Sequence, residues 1–177
     1  MLANYAEEHA PHTRDAVRIS YAIEALLPFW GQLTADKITK AICRRYVNQR
    51  KSEIAERKRQ KAKAAMERRG CDVAEVRERL GAINAEDISN ATPRRELGTL
   101  QAAINFNVQE GYLTESRQVW LPEKPASRER WLTRNEVARL LRAARKMQKA
   151  PHLKLFIMLA LRTGARKRAV LDLRWTQ

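Results

Sequence analysis

The chain has 177 residues, 44% of them apolar, and carries 35 Lys and Arg against 20 Asp and Glu, a formal net charge of +15. That apolar share excludes global disorder, and the length allows one ordinary domain or two small ones. Two widely spaced cysteines, Cys43 and Cys71, exclude a disulfide framework or a zinc cluster, and the longest apolar run, "LFIMLAL" at 155–161, is too short to span a membrane.

Helix is expected almost throughout, because Ala, Leu, Arg, Lys and Glu dominate and only 6 Gly and 6 Pro interrupt. A first helix is predicted from Thr13 as N-cap to about Pro28, with Ala16, Ile19, Ile23, Leu26 and Leu27 on one face. Gly31 marks a turn, and a second helix follows from Thr34 or Thr39 with Ile38, Ile42, Cys43, Tyr46 and Val47 inward. Residues 50–69, "RKSEIAERKRQKAKAAMERR", are helix-prone but almost uniformly charged; they read as a solvated extension of the second helix or as a DNA-facing arm. Gly70 should end them, and Asp72 with Glu75 then opens a short helix carrying Val73, Val76 and Leu80.

The next helix, "TPRRELGTLQAAINFNVQEG", has Thr92 as expected cap, Pro93 at the first position, Gly111 at the close and a stripe of Leu97, Leu100, Ile104 and Val108. Arg94 and Arg95 beside its N-terminus suit an anion better than they suit the helix, which prefers acids there. Residues 114–130 lose the helical stripe and gain Pro122 and Pro125, as a linker does. Thr133 and Glu136 then have capping-box spacing for a helix with Val137, Leu140, Leu141 and Ala144 inward. After Pro151 comes an apolar helix with Phe156, Ile157, Leu159, Ala160 and Leu161. It stops at Gly164, and a last helix turns Ala169, Val170 and Leu173 inward, ending near Trp175.

The charge is unevenly placed: residues 119–177 hold 15 basic and 4 acidic side chains, against 20 and 16 in residues 1–118. A positive field of this kind attracts polyanions, either duplex DNA or structured RNA, although a merely basic protein has the same composition. There is no glycine-rich phosphate loop, no metal-ligand cluster and no Ser/His/Asp arrangement, so no metal and no cofactor is expected. The N-terminus shows no signal-peptide pattern, and a cytoplasmic location without membrane contact is expected.

The string "LALRTGARKRAVLDLRW" resembles the opening block of the catalytic domain of tyrosine recombinases, the phage-integrase family. Thr163, Gly164, Arg166, Leu171, Leu173 and Trp175 fit its Thr-Gly-x-Arg turn and its Leu-x-Trp ending. "RWLTRNEVARLLRAA" is similar to the first helix of that domain, and "SNATPRRELGTLQAAINFNVQEGYL" to the last part of the family's helical core-binding domain. Together these cover nearly the whole chain except the charged insert at 50–88.

The resemblance implies a mainly α protein: a helical SAM-like core-binding domain at 1–118, a linker at 119–130, and at 131–177 the helical start of a catalytic domain, incomplete. It implies duplex DNA as partner, with other recombinase protomers on that DNA. Arg166 is the expected catalytic residue, with Lys167 and Arg168 as supporting phosphate contacts and Thr92, Arg94 and Arg95 as DNA contacts of the clamp. A guanidinium suits the role, being always charged and able to grip two phosphate oxygens at once. The alternative is that Arg166 only caps a helix or meets a surface carboxylate. The family usually has an acid three positions after this arginine, and here that position is Ala169. The resemblance implies that a lysine, a His-x-x-Arg block, another His or Trp and the tyrosine nucleophile follow in the next stretch, and none does after Gln177. The expectation is therefore a truncated integrase of phage or mobile-element origin, inactive alone, or a non-catalytic DNA-binding module derived from one.

Overall fold

The computed structural model describes residues 1–127 and 129–174. Every regular element among them is helical, and the chain divides into two compact units, Met1–Ala126 and Ser127–Gln177. Among the described residues no helix is long and apolar enough to cross a membrane.

The first unit opens with an unforeseen helical stretch: α1 (Leu2–Asn4), a wide π-helical turn over Tyr5–His9 and a tight turn over Ala10–His12. Leu2 and Tyr5 reach the core, and Asn107 fixes the stretch from the far side. Buried in the fifth helix, Asn107 donates through Nδ2 to the Met1 carbonyl at 3.0 Å and accepts from Asn4 at 3.1 Å. A buried amide is tolerable only when satisfied in this way.

Helix α2 (Ala16–Trp30) starts after Asp15, not at Thr13. Thr13 is taken by the preceding turn, its hydroxyl donating to the Ala10 carbonyl at 2.8 Å. Pro28 falls in the last turn and does not stop the helix, which runs on to Trp30. Helix α3 (Lys40–Glu67) is capped by Thr39, whose hydroxyl oxygen accepts from the Ile42 N–H. It continues through the charged stretch until Gly70, at φ +69°, turns the chain. Helix α4 (Val73–Gly81) starts from Asp72, which accepts from Val73 N. Helix α5 (Ala91–Gln109) crosses α2 and α3 and buries Leu97, Leu100, Ala103 and Ile104 completely.

The 28 residues of α3 give it about 42 Å of length, more than this core can cover. Cys43, Tyr46 and Val47 in the proximal half are buried in the main core. The buried residues of the distal half, Ala55 and Met66, lie on roughly the opposite side of the helix. There Arg59 donates to the Ile83 carbonyl at 2.6 Å, tying α3 to the turn after α4.

The stretch expected to begin the linker packs instead on the first unit. Val119 is 4% exposed within the core, and Trp120 and Leu121 lie against it. Val119 N donates to the Gln101 side-chain oxygen Oε1 at 2.6 Å, and the Trp120 ring sits 5.4 Å from the Arg44 guanidinium and 5.9 Å from the Lys40 ammonium. Such cation–π contacts add to the apolar burial that holds the segment down.

The second unit comprises α6 (Arg134–Lys146), α7 (Leu153–Thr163) and α8 (Lys167–Leu171), with α7 touching both others. The Thr133–Glu136 capping box is present in both directions. Burial is shallow: Ala144 and Val170 are buried, whereas Leu140, Leu155, Leu161, Leu171 and Leu173 are exposed. Of the residues expected inward on α8, Ala169 is exposed and the helix ends at Leu171; Trp175 lies outside the described residues.

Candidate nucleic-acid interface

The N-terminal end of α5 sits two residues earlier than its sequence suggests. Asn90 occupies the cap position, so Thr92 and Pro93 fall inside the first turn, Thr92 exposed and Pro93 buried. The following three residues diverge, as successive positions on a helix must. Arg94 is half-buried and donates through Nη1 to the Pro122 carbonyl, fastening the segment after α5. Arg95 is exposed, and Glu96 is buried.

Thr92 and Arg95 share the wall of a groove of about 600 Å³, to which α2 contributes Arg18 and Tyr21 and α3 contributes Arg57. Its base holds the ion pair of Arg50 and Glu96, whose side chains are 12% and 7% exposed. Arg50 Nη2 lies 2.9 Å from Glu96 Oε1, and its Nε donates to the same carboxylate at 3.0 Å. Tyr46 OH donates to Glu96 Oε2 at 2.7 Å, and Arg50 Nη1 reaches Glu53 at 2.8 Å.

These contacts move the proton affinities of Arg50, Tyr46 and Glu53 away from their ordinary values. Hydrogen bonds from the guanidinium to Glu96 hold the Arg50 proton more tightly still. Burial, reinforced by the Glu96 carboxylate, pushes the Tyr46 phenol well above its ordinary value. Burial alone would raise the Glu53 carboxyl, but hydrogen bonds from Gln49 and Arg50 bring it below the usual range. Arg50 is therefore fully occupied by two carboxylates, and the cations available to a ligand are those on the walls, where Glu24 also stands. Arg18 is partly engaged by Asp15 at 2.6 Å; Arg57 and Arg95 make no ion pair among the described residues.

In the second unit, the turn after α7 is built by Thr163 and Gly164. Gly164 adopts φ +63°, which a residue with a Cβ enters at a cost. Thr163 Oγ1 donates to the Leu159 carbonyl at 2.7 Å and accepts from Ala165 N at 3.2 Å. Arg166 follows in extended conformation as the cap residue of α8, its side chain exposed and free of any cap hydrogen bond. Lys167 and Arg168 are also exposed. Helix α8 has only five residues, too few for a sizeable dipole, so any anion affinity here rests on the side chains themselves.

The first unit thus brings Thr92 and Arg95 together but directs Arg94 elsewhere, and the second groups Arg166 with Lys167 and Arg168. Tyr46 was expected only as an inward residue of the second helix, and Arg50 and Glu96 were not anticipated. Their signal was present: Arg50 stands four residues after Tyr46 on the buried face of α3, and Glu96 directly precedes Leu97 on the stripe of α5. A cation and an acid on two apolar faces that must meet are candidates for a buried pair. Compared with known proteins, the chain matches no family model, no curated protein and no solved structure.

Proposed function

We propose that the chain is a duplex-DNA-binding protein of the tyrosine recombinase kind, serving DNA integration and recombination. In this reading the SAM-like helical part at 1–118 holds one face of a recombination site through Thr92 and Arg95. Residues 131–177 bring Arg166 to a backbone phosphate, with Lys167 and Arg168 beside it.

The observation that carries the reading is cationic charge left without partners. Arg95, Arg166, Lys167 and Arg168 are exposed, and none enters an ion pair among the described residues. With Ala169 in place of an acid, the Arg166 guanidinium keeps its full fork of donors for a phosphate. At a phosphate undergoing substitution, negative charge gathers on the non-bridging oxygens, and a cation already in position stabilises that state selectively.

A second reading, a non-catalytic DNA-binding module derived from an integrase, is favoured by the tyrosines. Tyr5, Tyr21, Tyr46 and Tyr112 all belong to the first unit. Burial raises the Tyr5 and Tyr46 phenols, and Glu8 raises Tyr112; a phenol that holds its proton harder is a poorer nucleophile. Such a module occupies sites or pairs with intact recombinase protomers.

The test is titration of a fluorescent duplex with residues 1–177 over a series of salt concentrations. Binding that weakens linearly in log–log form is expected, because each phosphate contact releases counterions. Affinity indifferent to salt, or tighter binding to folded RNA at matched salt, overturns the proposal. A nicked suicide duplex separates the two readings: a phosphotyrosyl adduct excludes the non-catalytic one.

A further inference from the structure

The charged distal half of α3 has a pattern that solvation alone does not require. Between Lys51 and Arg68 there are three acids, and each has a cation of its own. Glu53 pairs with Arg50 at 2.8 Å, Glu56 with Arg59 at 3.6 Å and Glu67 with Lys63 at 4.0 Å. At 3.6 residues per turn the three acids fall together on one flank of the helix. Five cations remain: Lys51, Arg57, Lys58, Lys61 and Arg68. They occupy the next sector, about 120° wide, which contains no acid. None of the five enters an ion pair among the described residues, and all but the half-buried Lys51 are exposed.

A helix that only needs to be soluble gains from alternating charges at i,i+4 around its exposed surface. Here the pairing is finished on one flank and the surplus collects on the other, where like charges repel unless something anionic lies against them. At its inner end the sector meets the first unit, where Lys51 lines a hollow with Val47, Trp120 and Pro122 and Ile54 is half-buried; its exposed apolar content is limited to Ala65. That argues against a protein partner, whose interface needs an apolar centre and disfavours lysine. It argues equally against a membrane surface, which needs an apolar flank to insert. A polyanion with charge spread along its length needs neither. Arg57 also lines the groove that holds Thr92 and Arg95, so the sector continues that surface outward along α3.

We propose that the Lys51–Arg68 sector of α3 is a second phosphate-binding surface, an arm that lies against duplex DNA beyond the part held by the groove. This rests on the DNA-binding reading and extends it to the charged insert, which the recombinase resemblance does not cover. From Lys51 to Arg68 is about 25 Å along the helix axis, so the arm adds contacts over no more than about seven base pairs.

The experiment compares residues 1–177 with two triple variants of equal charge change, each checked for unaltered helical circular dichroism. The arm variant carries Lys51→Gln, Lys58→Gln and Lys61→Gln. The control carries Lys63→Gln, Arg77→Gln and Arg79→Gln, one on the paired flank of α3 and two on α4. Binding of a fluorescent duplex is followed across salt concentrations. Loss of three phosphate contacts should make the log–log slope of the arm variant shallower by about 2.7, and the control should move by less than half of that. If both variants shift equally, net charge alone is responsible and the arm is refuted. If neither shifts while the parent still binds, the arm is refuted and the groove and Arg166 reading stands. Failure of the parent to bind duplex removes both proposals together.

Discussion

Arg50 and Glu96 meet 2.9 Å apart across the α3–α5 contact, both nearly out of solvent, although 46 residues separate them in the chain. Tyr46 and Glu53 complete their hydrogen bonding. Removing one partner strands the other charge, so Glu96→Ala should cost about 3–5 kcal/mol. The double change Arg50→Met with Glu96→Leu should restore most of it. Urea unfolding of the single and double variants checks both, and equal loss in the two would show that packing, not charge, dominates.

Tyr46 gives this cluster a response to alkali. Its phenol is held above the ordinary value, so the folded protein keeps a proton that the unfolded chain releases near pH 10. The stability it contributes is complete below that pH and is lost as pH rises above it, by at most about 1.4 kcal/mol per pH unit. Tyr46→Phe should be less stable at neutral pH by about 1–2 kcal/mol, having lost a hydrogen bond to a carboxylate, yet show a flatter decline between pH 10 and 11. Thermal midpoints measured against pH give the comparison.

Arg166→Ala should leave stability within about 0.5 kcal/mol, since the side chain touches nothing that folding needs. Duplex affinity should weaken, with a salt slope shallower by about 0.9. A folded variant that binds with the parent's affinity and slope would remove Arg166 from the interface.

Gly164→Ala isolates the backbone. A Cβ at this position meets nothing within 4 Å, so the substitution acts only through the left-handed conformation at φ +63°. A loss of about 1 kcal/mol is expected, with Gly164→Asn losing less. Chemical denaturation of the two variants ranks them.

The local signals were legible where one short segment contains both partners. Thr133 with Glu136, Thr39 as a cap and the turning glycines Gly70, Gly111 and Gly164 behave as their spacing predicts. Errors of two residues arose where a second acceptor or cap competed. Thr13 bonds backward to Ala10, and Asn90 takes the cap position two residues before Thr92. What sequence could not supply was contact across distance: Asn107 with Met1, Val119 with Gln101, Arg94 with Pro122. For that reason Arg94 and Arg95 looked alike as neighbouring cations, whereas one fastens a loop and the other faces a groove. The exposure of Arg166, by contrast, follows from the turn that carries it.

Because α3 buries one side in its first half and the reverse side in its second, it works like a geared shaft with two meshed ends. Deleting a single residue between Glu53 and Ala55 would rotate everything beyond by about 100°, unmeshing Ala55 and Met66 from their seats and swinging the lysine row off its bearing. Length changes that preserve the phase must come in steps of about seven or eleven residues. The charged insert can therefore drift in composition on its paired, acidic flank, but its length can change only in those steps.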